Sequence, residues 1–453
     1  MDSLQQRKQL KLNLGPVADL PPNRSSEEFI ARHISEGPTG QVRLMESILE
    51  RSNMKRAIKR VVRNKGAPGV DGMTVRKIKR YLKRHWTKIE KALLDGTYTP
   101  MPVRRKEIPK PGGVRLLGIP TVLDRVIQQA VARILNRIWD HTFSEFSFGF
   151  RPKRSAHDAI RKYREYVQSG LRYVIDIDLA KFFDRVNHDR LLARLATRVK
   201  DKRVLKLIRS FLNSGVMIGG LEQPTKEGTP QGGPLSPILS NIVLDELDKE
   251  LEKRGLCFVR YADDCVIFVG SKRAGDRVME SVSRFIEKKL RLEVNREKSA
   301  VGRPWERKYL GFCLTNSRKN PKIRIHWKTI KRFKQRVREI TARRRGRSLS
   351  QVIDELKQFM RGWWNYYGLT ESFNRLRPLP HWIRRRLRAL VWKHWKNRKT
   401  RVRELLKRGI SRNFALTTGC ARKGPWRMSK VKWVNIALPD KHFESLGLSF
   451  PWS

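Results

Sequence analysis

Apolar residues recur at helical spacing along much of the chain, and between these stretches they condense into short strand-like runs. Leu44, Ile48, Leu49, Met54, Ile58 and Val61 predict helical segments with basic intervening faces. Val126, Ile127, Val131, Ile134, Leu135 and Ile138 form a stripe that predicts a helix from Asp124 to Trp139. Leu239, Val243, Leu244, Leu247 and Leu251 repeat the pattern, with Ser236 as N-cap, Pro237 in the first turn and Gly255 as the stop. Asn187 is placed to cap a helix carrying Leu191, Leu192 and Leu195. Val278 to Leu290 reads as one more amphipathic helix, and residues 1–40 show no sustained period.

The strand signals are shorter. Cys257–Tyr261 and Cys265–Val269 are apolar runs around Ala262-Asp263-Asp264, which predicts a β-hairpin with two carboxylates at its tip. Tyr173-Val-Ile-Asp-Ile-Asp178 reads as a strand with Asp176 and Asp178 on one face. Residues 103–121 read as a basic hairpin around Lys110-Pro-Gly-Gly113. Asn64–Gly72 and Gly228–Pro234 are too rich in glycine and proline for regular structure.

Charge changes the picture. The 453 residues carry 100 Lys and Arg against 43 Asp and Glu, a formal net charge of +57. Self-repulsion of that size calls for a polyanion, and repeated phosphate contacts make nucleic acid the partner class. A membrane-surface protein is the rival, but no long basic segment with a wide apolar face stands out, nor any spanning run or secretory signal. Cys257, Cys265, Cys313 and Cys420 form no C-x-x-C pair and read as reduced thiols of an intracellular chain. A chain this long implies at least two packed units.

An Asp-Asp pair is by itself more often a turn or a cap. Inside an apolar hairpin, beside an apolar strand that also bears Asp, it points instead to divalent metal chemistry on hard oxygen ligands. Spacing leaves open whether Asp176 or Asp178 joins the pair.

Tyr261-Ala-Asp-Asp264, Asp178 followed by Phe182-Phe183, and Gly228-Thr-Pro-Gln-Gly-Gly-Pro-Leu-Ser236 together resemble a reverse transcriptase. More narrowly, they resemble the reverse transcriptase–maturase of bacterial group II introns, nearest the compact class C type that lacks an endonuclease domain. The resemblance runs from about residue 43 to about residue 430. It implies an α+β right-hand polymerase with fingers and palm built on antiparallel sheet plus helices and an α-helical thumb. The implied divisions are a polar leader at 1–42, an N-terminal extension and fingers at 43–170 and a palm at 171–315. A helical thumb, or domain X, follows at 316–395, then a basic DNA-binding region at 396–453.

The same resemblance implies the site. An aromatic pair following the metal-binding Asp selects Asp178, with Asp263, Asp264 and the Leu179 carbonyl completing the ligands for two Mg²⁺ ions. Arg104, Lys110 and Arg115 would meet the triphosphate of the incoming deoxynucleotide, and Gln231 and Gly232 would lie beside it. Phe183 would exclude a 2′-hydroxyl, and Lys298 would face the departing pyrophosphate. Arg151 and the Arg384-Arg385-Arg386 run would contact nucleic acid. The implied partners are group II intron RNA, an RNA template with a DNA or RNA primer, target DNA and dNTPs. The implied setting is the bacterial cytoplasm, for splicing and for mobility by target-primed reverse transcription. The alternatives are a reverse transcriptase adopted by its host for defence or repair, and an RNA-binding splicing factor without polymerase activity.

Overall fold

The computed structural model describes residues 43–452 except 111–112, 181, 219–220, 224–231 and 318. The expected leader therefore lies outside the described residues. At the N-terminal side, the helix Ile78–Leu94 packs on Leu44–Leu49, and the helices Leu44–Leu49 and Arg51–Arg63 pack on the helix Val122–Trp139. Val126, Ile127, Val131 and Leu135 are wholly buried in it, as their spacing predicts, and Ile138 is half-buried. Thr121 caps this helix by accepting from the Asp124 amide.

Two four-stranded sheets frame the chain's centre. The first has the order β2-β1-β4-β5 and contains the basic hairpin, β1 (Val103–Lys110) and β2 (Gly113–Ile119), paired antiparallel from Arg104↔Ile119 to Lys110↔Gly113. Strand β4 (Val216–Ile218) joins β1 in parallel and continues antiparallel into β5 (Leu221–Gln223). The second sheet, β6-β7-β3-β8, comprises β6 (Cys257–Tyr261), β7 (Asp264–Val269), β3 (Tyr173–Ile177) and β8 (Ala300–Gly302).

Alternation across this second sheet separates two cores. Ile175, Ile177, Phe258, Cys265 and Ile267 face the core built on the helices Val122–Trp139 and Ser236–Lys253. Val174, Val259, Val266 and Phe268 face a second core shared with the helices Trp327–Ile340, Leu349–Tyr367 and Leu379–His394. Because both faces are covered, the strands read as continuous apolar runs rather than alternating ones.

Several local expectations shift. Ser236 is the first helical residue rather than the cap, which falls on Leu235. The helix after the hairpin begins at Lys272 and ends in a π turn over Ile286–Leu290. Tyr309-Leu-Gly-Phe312 is mostly a tight turn with Leu310 and Gly311 at positive φ, and β9 (Phe312–Leu314) starts only at its end. Asn187 does cap its helix, accepting from the Arg190 amide at 2.9 Å. The stretch after residue 396, expected as a basic region, is folded: Leu405, Met428, Val434, Phe443 and Trp452 bury into the second core. The basic count there hid a sparse but sufficient apolar stripe.

Candidate active site

The palm sheet brings the expected carboxylates to one edge. In the β3/β7 register Val174 faces Phe268, Asp176 faces Val266 and Ile177 faces Cys265. The ladder ends there, with Asp178 and Asp264 the next residues along the two strands and coupled electrostatically. Ala262, at φ 59°, makes the turn that presents Asp263 and Asp264.

Asp176 and Asp178 differ in their surroundings. Arg307 donates to Asp176 at 2.8 Å, so that carboxylate has a fixed counter-ion. Asp178 sits beyond the strand end, with its amide bonded to Ser299 Oγ at 3.0 Å and Lys298 Nζ 3.8 Å from Oδ1. The 293–295 segment pairs with it through Ala180 N to Glu293 O and Asn295 N to Asp178 O. The Leu179 carbonyl stays outside that ladder.

Electrostatics concentrate on Asp264. Its carboxyl is raised to about 7, first by lost hydration, then by repulsion from Asp263, Asp176 and Asp178, with Lys308 opposing. Lys308 is itself pushed down, by burial first and then by Arg332 and Lys328. Among the described residues no three His, Cys, Asp or Glu side chains are drawn into a cage. The edge nevertheless gathers hard oxygen donors whose mutual repulsion a divalent cation relieves, so the donor chemistry fits such an ion.

The turn is held from beneath. Arg260 points to the opposite face of β6, where it donates to both Asp248 oxygens at 2.7 and 2.5 Å, to Asn241 at 3.1 Å and to the Ala262 carbonyl at 2.9 Å. Both members of the ion pair are fully buried. The 147–151 segment lies along the outer edge of β6, with Phe148 N donating to Arg260 O at 2.8 Å. A Cβ on Gly149 would stand 2.2 Å from the Ala262 amide nitrogen, so only glycine lets that segment press against the turn. Arg260 and Asp248 were legible as a charge inside an apolar strand and an acid inside a buried helical stripe, each needing a partner. Arg307 carried no such signal.

The remaining expected residues divide. Phe182 is buried and Phe183 half-buried, ring edge to ring face at 5.1 Å. Gly232, at φ 126°, lies so close to the Gly118 carbonyl of β2 that a Cβ would come within 2.7 Å. That contact sets the Gly232 turn beside the sheet bearing the half-buried Arg104. Gln231 and the side chains of Lys110 and Arg115 lie outside the described residues.

The arginines expected to meet nucleic acid are engaged within the protein. Arg151 is buried, paired with Asp140 at 2.8 Å, and donates to the Ser144, Ser147 and Asp140 carbonyls. It anchors the 147–151 segment and offers nothing to a phosphate. Arg384 pairs with Asp440 and Glu444, Arg385 lies 3.7 Å over the Trp426 ring, and Arg386 donates to Thr341 Oγ1 at 2.6 Å. Desolvation, then Arg338 and Arg343, lowers Arg386 to about 10. These arginines fasten the helix Leu379–His394 to its neighbours.

Comparison with known proteins agrees with this architecture. Residues 106–314 match the model for the reverse transcriptase (RNA-dependent DNA polymerase) family. That match defines the class of the fingers and palm. Residues 330–409 match the group II intron, maturase-specific domain. Among relatives, Protein YkfC of Escherichia coli is 33% identical over 300 residues, covering 57% of this chain and 79% of that one. Group II intron-encoded protein LtrA of Lactococcus lactis is 30% identical over 412 residues, covering 68% and 66%. The putative COX1/OXI3 intron 2 protein of Saccharomyces cerevisiae is 30% identical over 273 residues, covering 47% and 32%. The chain belongs to the group II intron-encoded reverse transcriptase–maturase family. It spans 66% of the length of LtrA. No helix among the described residues is long and apolar enough to cross a membrane.

Proposed function

We propose that the chain extends a primer on an RNA template with deoxynucleotides, and that its helical C-terminal half binds group II intron RNA as a maturase. The observation supporting the polymerase reading is the end of the β3/β7 ladder at Ile177↔Cys265, next to which lie Asp178 and Asp264, electrostatically coupled, while Arg307 pairs with Asp176. Asp178, Asp263, Asp264 and the Leu179 carbonyl would hold two Mg²⁺ ions. When bound, the ions supply Lewis-acid stabilisation of the attacking and leaving oxygens.

The chain's own groups do the positioning. Arg104, Lys110 and Arg115 hold the triphosphate, Arg through a planar fork that suits phosphate oxygens. The Gln231 amide offers hydrogen bonds to the nucleotide, Gly232 allows close approach, and Phe183 walls off the 2′ position so that a ribonucleotide clashes. Lys298, two-thirds exposed beside Asp178, is placed to meet the pyrophosphate as the primer 3′-hydroxyl displaces it. The net charge of +57 supports binding of long polyanions, and the 330–409 match supports intron RNA as one of them. Reverse splicing into target DNA followed by target-primed synthesis is the mobility this family membership suggests.

The test is extension of a labelled DNA primer on an RNA template with Mg²⁺, comparing the native chain with an Asp263→Ala, Asp264→Ala variant. Synthesis by the native chain alone is expected. Tight RNA binding with no synthesis by either protein would replace the polymerase by a splicing factor.

A further inference from the structure

Arg307 makes two bonds with one nitrogen. Its Nη2 donates to Asp176 Oδ2 at 2.8 Å and also to the Lys298 carbonyl at 3.0 Å. The first bond ends on β3, two residues before Asp178, and the second on the backbone of the lysine beside Asp178. The Lys298 side chain is two-thirds exposed, with Nζ 3.8 Å from Asp178 Oδ1, so its reach is set by where the main chain holds it. That main chain is held at both polar groups, because the Lys298 amide donates to the Asn295 carbonyl at 3.2 Å.

Arg307 is itself built into place. Its stem runs over Gly302 of β8, where a Cβ would stand 2.9 Å from its Cδ and 3.0 Å from its Cγ. Ala300, the next residue on that face, pairs with Asp176 across the β3/β8 ladder, so small residues clear the path from Arg307 to the carboxylate. The Arg307 amide donates to the Arg303 carbonyl at 3.1 Å, and Arg303 lies 3.8 Å over the Tyr173 ring at the start of β3. Neutralising Asp176 takes only the first of the two bonds. The second serves Lys298.

We propose that Arg307 is a positioning residue for pyrophosphate departure: braced on Asp176, it fixes the Lys298 backbone so that the ammonium meets the oxygen leaving the α-phosphorus. In that step the primer 3′-oxygen bonds to the α-phosphorus, the bridging oxygen leaves with the bonding pair, and the 3′-hydroxyl proton passes to solvent. Lys298 gives the departing charge a hydrogen bond and a positive neighbour, and holding it ready costs no rearrangement during the reaction. The inference rests on the polymerase reading above and gives Asp176 a part in the reaction as the brace for Arg307.

The test compares single-turnover extension by the full chain, at saturating nucleotide, with two deoxythymidine triphosphate analogues bridged between the β- and γ-phosphorus by CH2 or by CF2. The CF2 bridge makes the departing group less basic, so it needs less help as it leaves. Lys298→Ala should raise the CF2-to-CH2 rate ratio about tenfold over native, and Arg307→Gln should raise it by about the same factor. Arg307→Gln combined with Asp176→Asn strands no charge and keeps the test open where the single variant fails to fold, and it should show the same raised ratio. Adding that neutral pair to Lys298→Ala should leave the ratio within about twofold of Lys298→Ala alone, since the groups act as one unit. A native ratio in the neutral pair, or effects that multiply in the Lys298→Ala background, would overturn the proposal and leave Arg307 a counter-ion for Asp176. A native ratio in Lys298→Ala would overturn it at its other end while the polymerase reading stands. Failure of the native chain to extend a primer with ordinary deoxynucleotides would sink both.

Discussion

Replacing Arg260 by methionine would separate stability from catalytic geometry beneath the turn. Arg260 makes four hydrogen bonds there, two to Asp248, one to Asn241 and one to the Ala262 carbonyl. Burial opposes its charge, but Asp248 outweighs burial and holds the guanidinium above its usual value. Methionine preserves apolar bulk and leaves the Asp248 charge uncompensated in a dry interior, which costs about 3–5 kcal/mol. That is a large share of the ~5–15 kcal/mol typical of a folded domain. Adding Asp248→Leu removes the stranded charge, and the double variant should recover to within about 2 kcal/mol of the native chain. Its turn still lacks the donor on Ala262, so primer extension should stay about tenfold or more below native. Urea unfolding followed by tryptophan fluorescence reads the first effect, and single-turnover extension the second. Native stability in Arg260→Met, or native activity in the double variant, would refute the argument.

Other outcomes follow from the same geometry. Gly149→Ala should reduce extension about a hundredfold, because its Cβ would force the Ala262 backbone away from the catalytic position. Arg151→Ala should lower the unfolding midpoint in urea while leaving the salt dependence of RNA binding unchanged, since its donors are all turned inward. Asp264, with its carboxyl raised to about 7, is protonated below that pH and ionised above it. Mg²⁺ affinity, read by calorimetry, should therefore fall as pH drops from 8 to 6 and level off above about 8. A pH-independent affinity would show that Asp264 does not hold the ion.

Much of this was legible in the chain because its palm strands are buried on both faces and so spell continuous apolar runs. The hairpin at Cys257–Val269, the strand Tyr173–Ile177 and the basic hairpin at 103–119 all follow from local pattern. The different surroundings of Asp176 and Asp178 did not, because the residue that pairs with Asp176, Arg307, is 131 positions away in sequence. The arginines' internal partners were hidden for a related reason. Arg151 and Arg384–Arg386 stand in a chain of net charge +57, but buried Arg151 and the half-buried Arg384–Arg386 engage Asp140, Trp426, Thr341 and Asp440, which no local pattern links to them. In the C-terminal stretch, a count of charges concealed the spaced apolar residues that fold it.

The central claim is the division of the palm carboxylates into ligands and a neutralised neighbour. Its most direct test is the extension rate of four single variants: Asp178→Ala, Asp263→Ala, Asp264→Ala and Asp176→Asn. The first three should each lose at least about a hundredfold, and Asp176→Asn should stay within about tenfold of native. A silent Asp178→Ala with an inactive Asp176→Asn would contradict the assignment and hand the metal to the carboxylate that Arg307 holds.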